Sequence, residues 1–100
     1  MAVAPALTDR VQRHREEILR ICAKHGALNV RVFGSVARGD AGADSDLDLL
    51  VEAGENTTPW WPGGLVADLE DLLGCRVQVV TEQGLNLLFR ETVLAEARPL

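Results

Sequence analysis

Asp46 and Asp48 lie two residues apart in the run Ser45-Asp46-Leu47-Asp48-Leu49-Leu50-Val51. On an extended strand, residues i and i+2 face the same way, so the two carboxylates stand side by side about 6–7 Å apart. At an effective dielectric near 20 such a pair repels by about 2–3 kcal/mol. A divalent cation turns that repulsion into attraction, and hard oxygen ligands suit magnesium. A second chemical element precedes the pair, the turn Gly34-Ser35 at the end of an apolar strand. A serine opening a helical turn offers a hydroxyl beside unpaired backbone N–H groups, where phosphate binds well, and Gly34 allows a close approach to the backbone. On its own the Gly-Ser pair reads equally well as a plain helix cap.

Other site patterns do not fit. No Gly-Lys-Ser/Thr follows Gly34, so this is not a P-loop, and the third glycine of a dinucleotide fingerprint is missing. Asp44, Asp46 and Asp48 occupy the first, third and fifth positions of a calcium loop with Glu55 at the twelfth, but the sixth, required to be glycine, is Leu49. Cys22 and His25 have ligand-like spacing, with Cys75 as a third donor, yet no second spaced pair exists. Reduced, buried thiols are the favoured reading.

The elements that must position these residues alternate. Residues 1–7 read as a loose leader. Thr8 caps a helix running to about His25, with Val11, His14, Ile18, Ile21, Cys22 and His25 on one face and Gly26 as its stop. Residues 30–33 form a strand, 35–38 a short helical turn, 39–44 a loop with Ser45 as a turn residue, and 46–52 a second strand. After a loop over 53–63 come a helix over 64–73 with Leu65, Leu69, Leu72 and Leu73 inward, and a strand over 76–81. A last helix spans 85–97 with Leu88, Phe89 and Leu94 inward. This order predicts an α/β (α+β) fold, a small mixed sheet flanked by helices, in one domain over residues 1–100.

Bulk properties narrow the function. With a net charge of -5 and Lys24 as the only lysine, the chain is a poor candidate for direct nucleic-acid binding, although a nucleotide held through magnesium remains compatible. No stretch is apolar for long enough to span a membrane, and the N-terminus lacks a secretory pattern, so a cytoplasmic location is expected.

Taken together, Gly34-Ser35-Val36-Ala37-Arg38-Gly39 and Ser45-Asp46-Leu47-Asp48-Leu49-Leu50-Val51 resemble the GS-x-x-RG…SD-x-D-LLV signature of the minimal nucleotidyltransferases, in the DNA polymerase β-like superfamily. The length, element order and closing run Glu91–Leu100 resemble that family too. The resemblance implies the polymerase β-like nucleotidyltransferase fold, with Ser35 and the Gly34 backbone binding the triphosphate of ATP and Asp46 and Asp48 holding magnesium. Arg38 would either steady the loop through a carboxylate or neutralise phosphate. It further implies an antitoxin forming a hetero-oligomer with a HEPN ribonuclease toxin and transferring AMP to a toxin hydroxyl, expected to be a tyrosine.

One departure bears on turnover. Active relatives carry a third carboxylate on the next strand, where this chain has Gln78 in Val77-Gln78-Val79-Val80. An amide can ligate a metal but brings no charge and cannot act as a base. Glu82, just past that strand, is either a substitute acid or a solvated loop residue. The alternative function is therefore a non-catalytic antitoxin that blocks its partner by binding alone. Trp60 and Trp61 form its candidate interface, since tryptophan is enriched at binding hot spots, unless the pair packs against the core. Small-molecule nucleotidylation fits less well, because relatives with that activity carry an added domain.

Overall fold

The computed structural model describes residues 6–100. The element order is α1 (Leu7–Arg13), α2 (Arg15–Lys24), β1 (Ala27–Phe33), α3 (Ser35–Arg38), β2 (Leu47–Ala53), α4 (Gly63–Leu73), β3 (Val77–Thr81), α5 (Leu87–Glu96) and β4 (Arg98–Pro99). The strands form one mixed sheet in the order β3-β2-β1-β4. β1 pairs antiparallel with β2 and with β4, whereas β2 and β3 run parallel and are joined through α4. Parallel neighbours need such a crossover, and the apolar stripe of α4 supplies it.

Alternation along β2 divides the sheet into two faces. Leu47, Leu49 and Val51 are fully buried and pack with Val32, Val77, Ile18, Cys22, Leu65 and Leu69 in the main core beneath α2 and α4. Asp48 and Leu50 point the other way, in register with Phe33 and Arg31 on β1 and with Gln78 and Val80 on β3. Leu50 and Val93 are buried outside the main core cluster. This second face is thus part apolar and part charged, and α5 is linked to its surroundings through Glu96, paired with Arg38, and Arg90, near Glu82. The register of β1 shifts between Leu28 and Arg31, where Asn29 adopts φ +48°. The shift is a bulge that lets Val32 reach the core and Arg31 the opposite face.

Several expectations are corrected. Ala6, not Thr8, precedes the first helix, and no side chain caps it. Leu7 is fully buried and so belongs to the core rather than to a leader, whose residues 1–5 lie outside the described residues. The Thr8 hydroxyl, instead of capping, is buried with no hydrogen-bond partner among the described residues. The single helix expected over 8–25 breaks at His14, although Ile18 N still donates to His14 O across the break. β2 opens at Leu47, leaving Asp46 at its threshold, and Leu47 N donates instead to Arg76 O.

The largest correction concerns α5. It starts at Leu87, where Asn86 Oδ1 accepts from Leu88 N, and its buried residue is Val93. Leu88 and Phe89, expected inward, are 83% and 61% exposed. Val93 is the buried residue of α5, and the helix is tied on by the Arg38–Glu96 pair rather than by a leucine stripe. β4, not anticipated, adds a short edge strand against β1.

Candidate functional site

Gly34 ends β1 with φ +72° and ψ -148°, a region open essentially to glycine. The same residue makes room for its neighbour: a Cβ at Gly34 would collide with Asp48 Oδ2. Gly34 therefore lets the chain turn into α3 while the Asp48 carboxylate rests against the turn. Ser35, half-buried, follows as the first residue of α3 and makes no side-chain cap. The Gly-Ser turn and the second aspartate, brought together on sequence grounds, meet in space.

Asp46 and Asp48 make no hydrogen bond or ion pair to a protein side chain among the described residues. Burial pushes the Asp48 carboxyl above the ordinary aspartate range, and the charge of Asp46 pushes it further; Arg38 opposes the rise and Glu96 adds to it. Two adjacent carboxylates without a side-chain partner, the charge of one raising Asp48, form a donor set suited to a hard divalent cation. Magnesium fits these residues on that ground. The third acid is missing as expected: Gln78 lies in register with Asp48 on β3 and is exposed. Among the described residues, no group of three or more His, Cys, Asp or Glu side chains is placed to hold a metal.

Arg38, for which two roles stayed open, pairs with carboxylates. Its Nε donates to Asp40 Oδ2 at 3.3 Å and its Nη1 to Glu96 Oε1 at 2.6 Å. These partners hold the guanidinium more firmly charged, Glu96 contributing most. Ser45 acts as the turn residue expected, accepting from Gly42 N at 2.9 Å. Glu82, just past β3, is held in ion pairs. It accepts from Arg31 Nη2 at 2.9 Å and lies 3.8 Å from Arg90.

The tryptophans separate. Trp61 packs against the core, while Trp60 is 89% exposed with φ +70°. Cys22 and His25 do not form a metal site. Burial lifts the Cys22 thiol to about 11, and both His25 ring nitrogens are engaged, Nδ1 with Thr58 Oγ1 at 2.6 Å and Nε2 with Asp68 Oδ2 at 2.7 Å. His25 thereby ties the end of α2 to the tryptophan loop and to α4.

Sequence reasoning passed over Glu96. Its signal was one step away: residues three apart share a helix face, so an inward Val93 carries Glu96 toward the site.

With this geometry established, comparison with known proteins is direct. The nucleotidyltransferase domain family profile matches residues 15–100. The protein adenylyltransferase MntA of Thermococcus cleftensis is 37% identical over 83 residues, covering 83% of this chain and 81% of that protein. A solved minimal nucleotidyltransferase is 50% identical, covers 99% of this chain and 100% of its own, and superposes with a TM-score of 0.82. A toxin–antitoxin crystal structure with AMP-PNP shares the fold at 19% identity, with a TM-score of 0.71 over 84% of this chain and 69% of its own. The chain belongs to the nucleotidyltransferase domain family, on its minimal nucleotidyltransferase branch.

Proposed function

We propose that the chain is a nucleotidyltransferase-fold antitoxin that transfers AMP from Mg-ATP to a hydroxyl, a tyrosine, of a HEPN ribonuclease toxin. The observation that carries this reading is the unpaired Asp46–Asp48 carboxylates set against the Gly34-Ser35 turn. Similarity to a protein adenylyltransferase and to a toxin–antitoxin crystallised with AMP-PNP supports it. In the proposed reaction the toxin hydroxyl oxygen bonds to the α-phosphorus of ATP. The bond from that phosphorus to the bridging oxygen breaks, and pyrophosphate leaves with the electron pair. The hydroxyl proton passes to water or to a carboxylate of the pair, since the Gln78 amide cannot take it. Magnesium held by Asp46 and Asp48 supplies electrostatic stabilisation of the triphosphate. Ser35 and the Gly34 backbone bind the phosphates.

Gln78 in register with Asp48 favours a second reading, an antitoxin that neutralises its partner by binding alone. Exposed Trp60 offers such a binder an anchor. One experiment separates the two: the purified chain, magnesium, α-labelled ATP and a HEPN toxin, with Asp46→Asn as control. Label on the toxin that vanishes in Asp46→Asn supports transfer. No label, with the toxin still bound and silenced by both chains, supports occlusion. ATP consumed while a small molecule and no protein is labelled refutes both.

A further inference from the structure

Arg38 is 51% exposed, yet it is not free. Asp40, two residues on, holds Nε, and Glu96, in the last turn of α5 and 58 residues away, holds Nη1. Nη2 makes no hydrogen bond to the protein among the described residues. Glu96 is the better shielded of the two acids, 23% exposed against 62% for Asp40. Its bond to Arg38 is also the shorter. A guanidinium is planar, so fixing two of its three nitrogens fixes the direction of the third. The fixed cation stands near enough to Asp48 for its charge to be felt there.

An arginine left free on the surface loses rotamer freedom when it captures a phosphate, whereas one locked beforehand has already lost it. The two acids also compensate part of the positive charge, so holding Arg38 this way suits orientation better than raw attraction. We propose that Glu96 is a positioning residue: by clamping Arg38 from α5, it presents the free Nη2 of Arg38 to the triphosphate of a nucleotide bound at the Gly34-Ser35 turn. The inference rests on the nucleotide-binding part of the proposed function and assigns α5 a role in it. In this role Glu96 works through its hydrogen bond to Arg38.

The test titrates Mg–AMP-PNP, and separately magnesium alone, into the wild-type chain, Glu96→Gln, Glu96→Asp and Arg38→Ala. Glu96→Gln is expected to weaken Mg–AMP-PNP binding about fivefold, the scale of a well-formed exposed ion pair, and to weaken magnesium alone by clearly less, since the Glu96 charge is also felt at Asp48. Glu96→Asp should recover part of the loss. In an Arg38→Ala background the Glu96→Gln change should cost nothing more. NMR of the Arg38 Nε–H group, which needs no nucleotide, should show a protected signal in the wild type that is lost in Glu96→Gln. Should Glu96→Gln fail to fold, the wild-type signal and the Glu96→Asp titration decide. Nucleotide binding by Glu96→Gln equal to or tighter than wild type overturns this inference alone. So does an equal loss of affinity for magnesium by itself. A wild-type chain that binds no Mg–AMP-PNP overturns the nucleotide reading and this inference together.

Discussion

Replacing Asp48 by asparagine should stabilise the metal-free protein while removing its response to magnesium. The two aspartates are about 6.6 Å apart along the chain, and at an effective dielectric of 20 their repulsion is about 2.5 kcal/mol. Both are half-exposed, and water screening brings the usable part down to about 1 kcal/mol. Asp48 makes no hydrogen bond that the amide would forfeit, and the lost attraction to Arg38 works against the gain. For a domain of this size, about 1 kcal/mol moves the melting temperature by about 4–8 °C. The pH dependence has a definite sign. The folded-state carboxyl titrates above its unfolded value, so as pH rises the unfolded chain loses its proton first and stability falls through that window. The asparagine gain is therefore absent below about pH 3.9, where the unfolded aspartate is protonated, and complete above the folded-state value. The assay is thermal melting in chelator at low salt, at pH 7.5 and at pH 3.5, repeated at pH 7.5 with magnesium. A ligand at about one hundred times its dissociation constant adds about 2.7 kcal/mol to the form that binds it, so the wild type should climb past the variant. A variant that melts at or below the wild type in chelator at pH 7.5 would refute the repulsion, and an equal magnesium shift in both would refute the ligand assignment.

Gly34→Ala should lower stability by about 1–3 kcal/mol, from the strained backbone alone, and abolish nucleotide binding through its collision with Asp48; melting and calorimetric titration check the two halves. Asp68 lies below the ordinary carboxylate range, chiefly through its hydrogen bond with His25. The stability it contributes is present above about pH 3.9 and lost as pH falls through its lowered value. The melting gap between wild type and Asp68→Asn should accordingly be widest near neutrality and close in acid. Gln78→Asp sets a third carboxylate in register with Asp48; it should lower the metal-free melting temperature by a few degrees and tighten magnesium binding, both read in one melting series.

The sequence was legible where one period or one motif sufficed. The second strand, the leucine stripe of α4 and the short helix after Gly34 appear within a residue of where the pattern places them. The Gly-Ser turn and Asp48 come together because β1 and β2 pair with Phe33 opposite Asp48. Tertiary context decided the rest. Leu88 and Phe89 read as inward from their helical spacing, yet α5 buries Val93 and leaves both exposed. The role of His25 depends on Thr58 and Asp68, distant in sequence, and no spacing rule links them. β4 is two residues long, one of them Pro99, too short for periodicity to mark.

The contact with Arg38 explains part of the composition of α5. A helix end that reaches Arg38 cannot be apolar throughout, because the residue nearest the guanidinium must answer its charge. Glu96 does so at one end of α5, while Val93 supplies its single buried contact. At the other end Leu87, Leu88 and Phe89 remain exposed. A helix so lightly seated is held as much by its ion pair as by its packing. The Arg38–Glu96 bond therefore links the order of α5 to the order of α3 and the Gly34-Ser35 turn, and each should lose definition when the bond is broken.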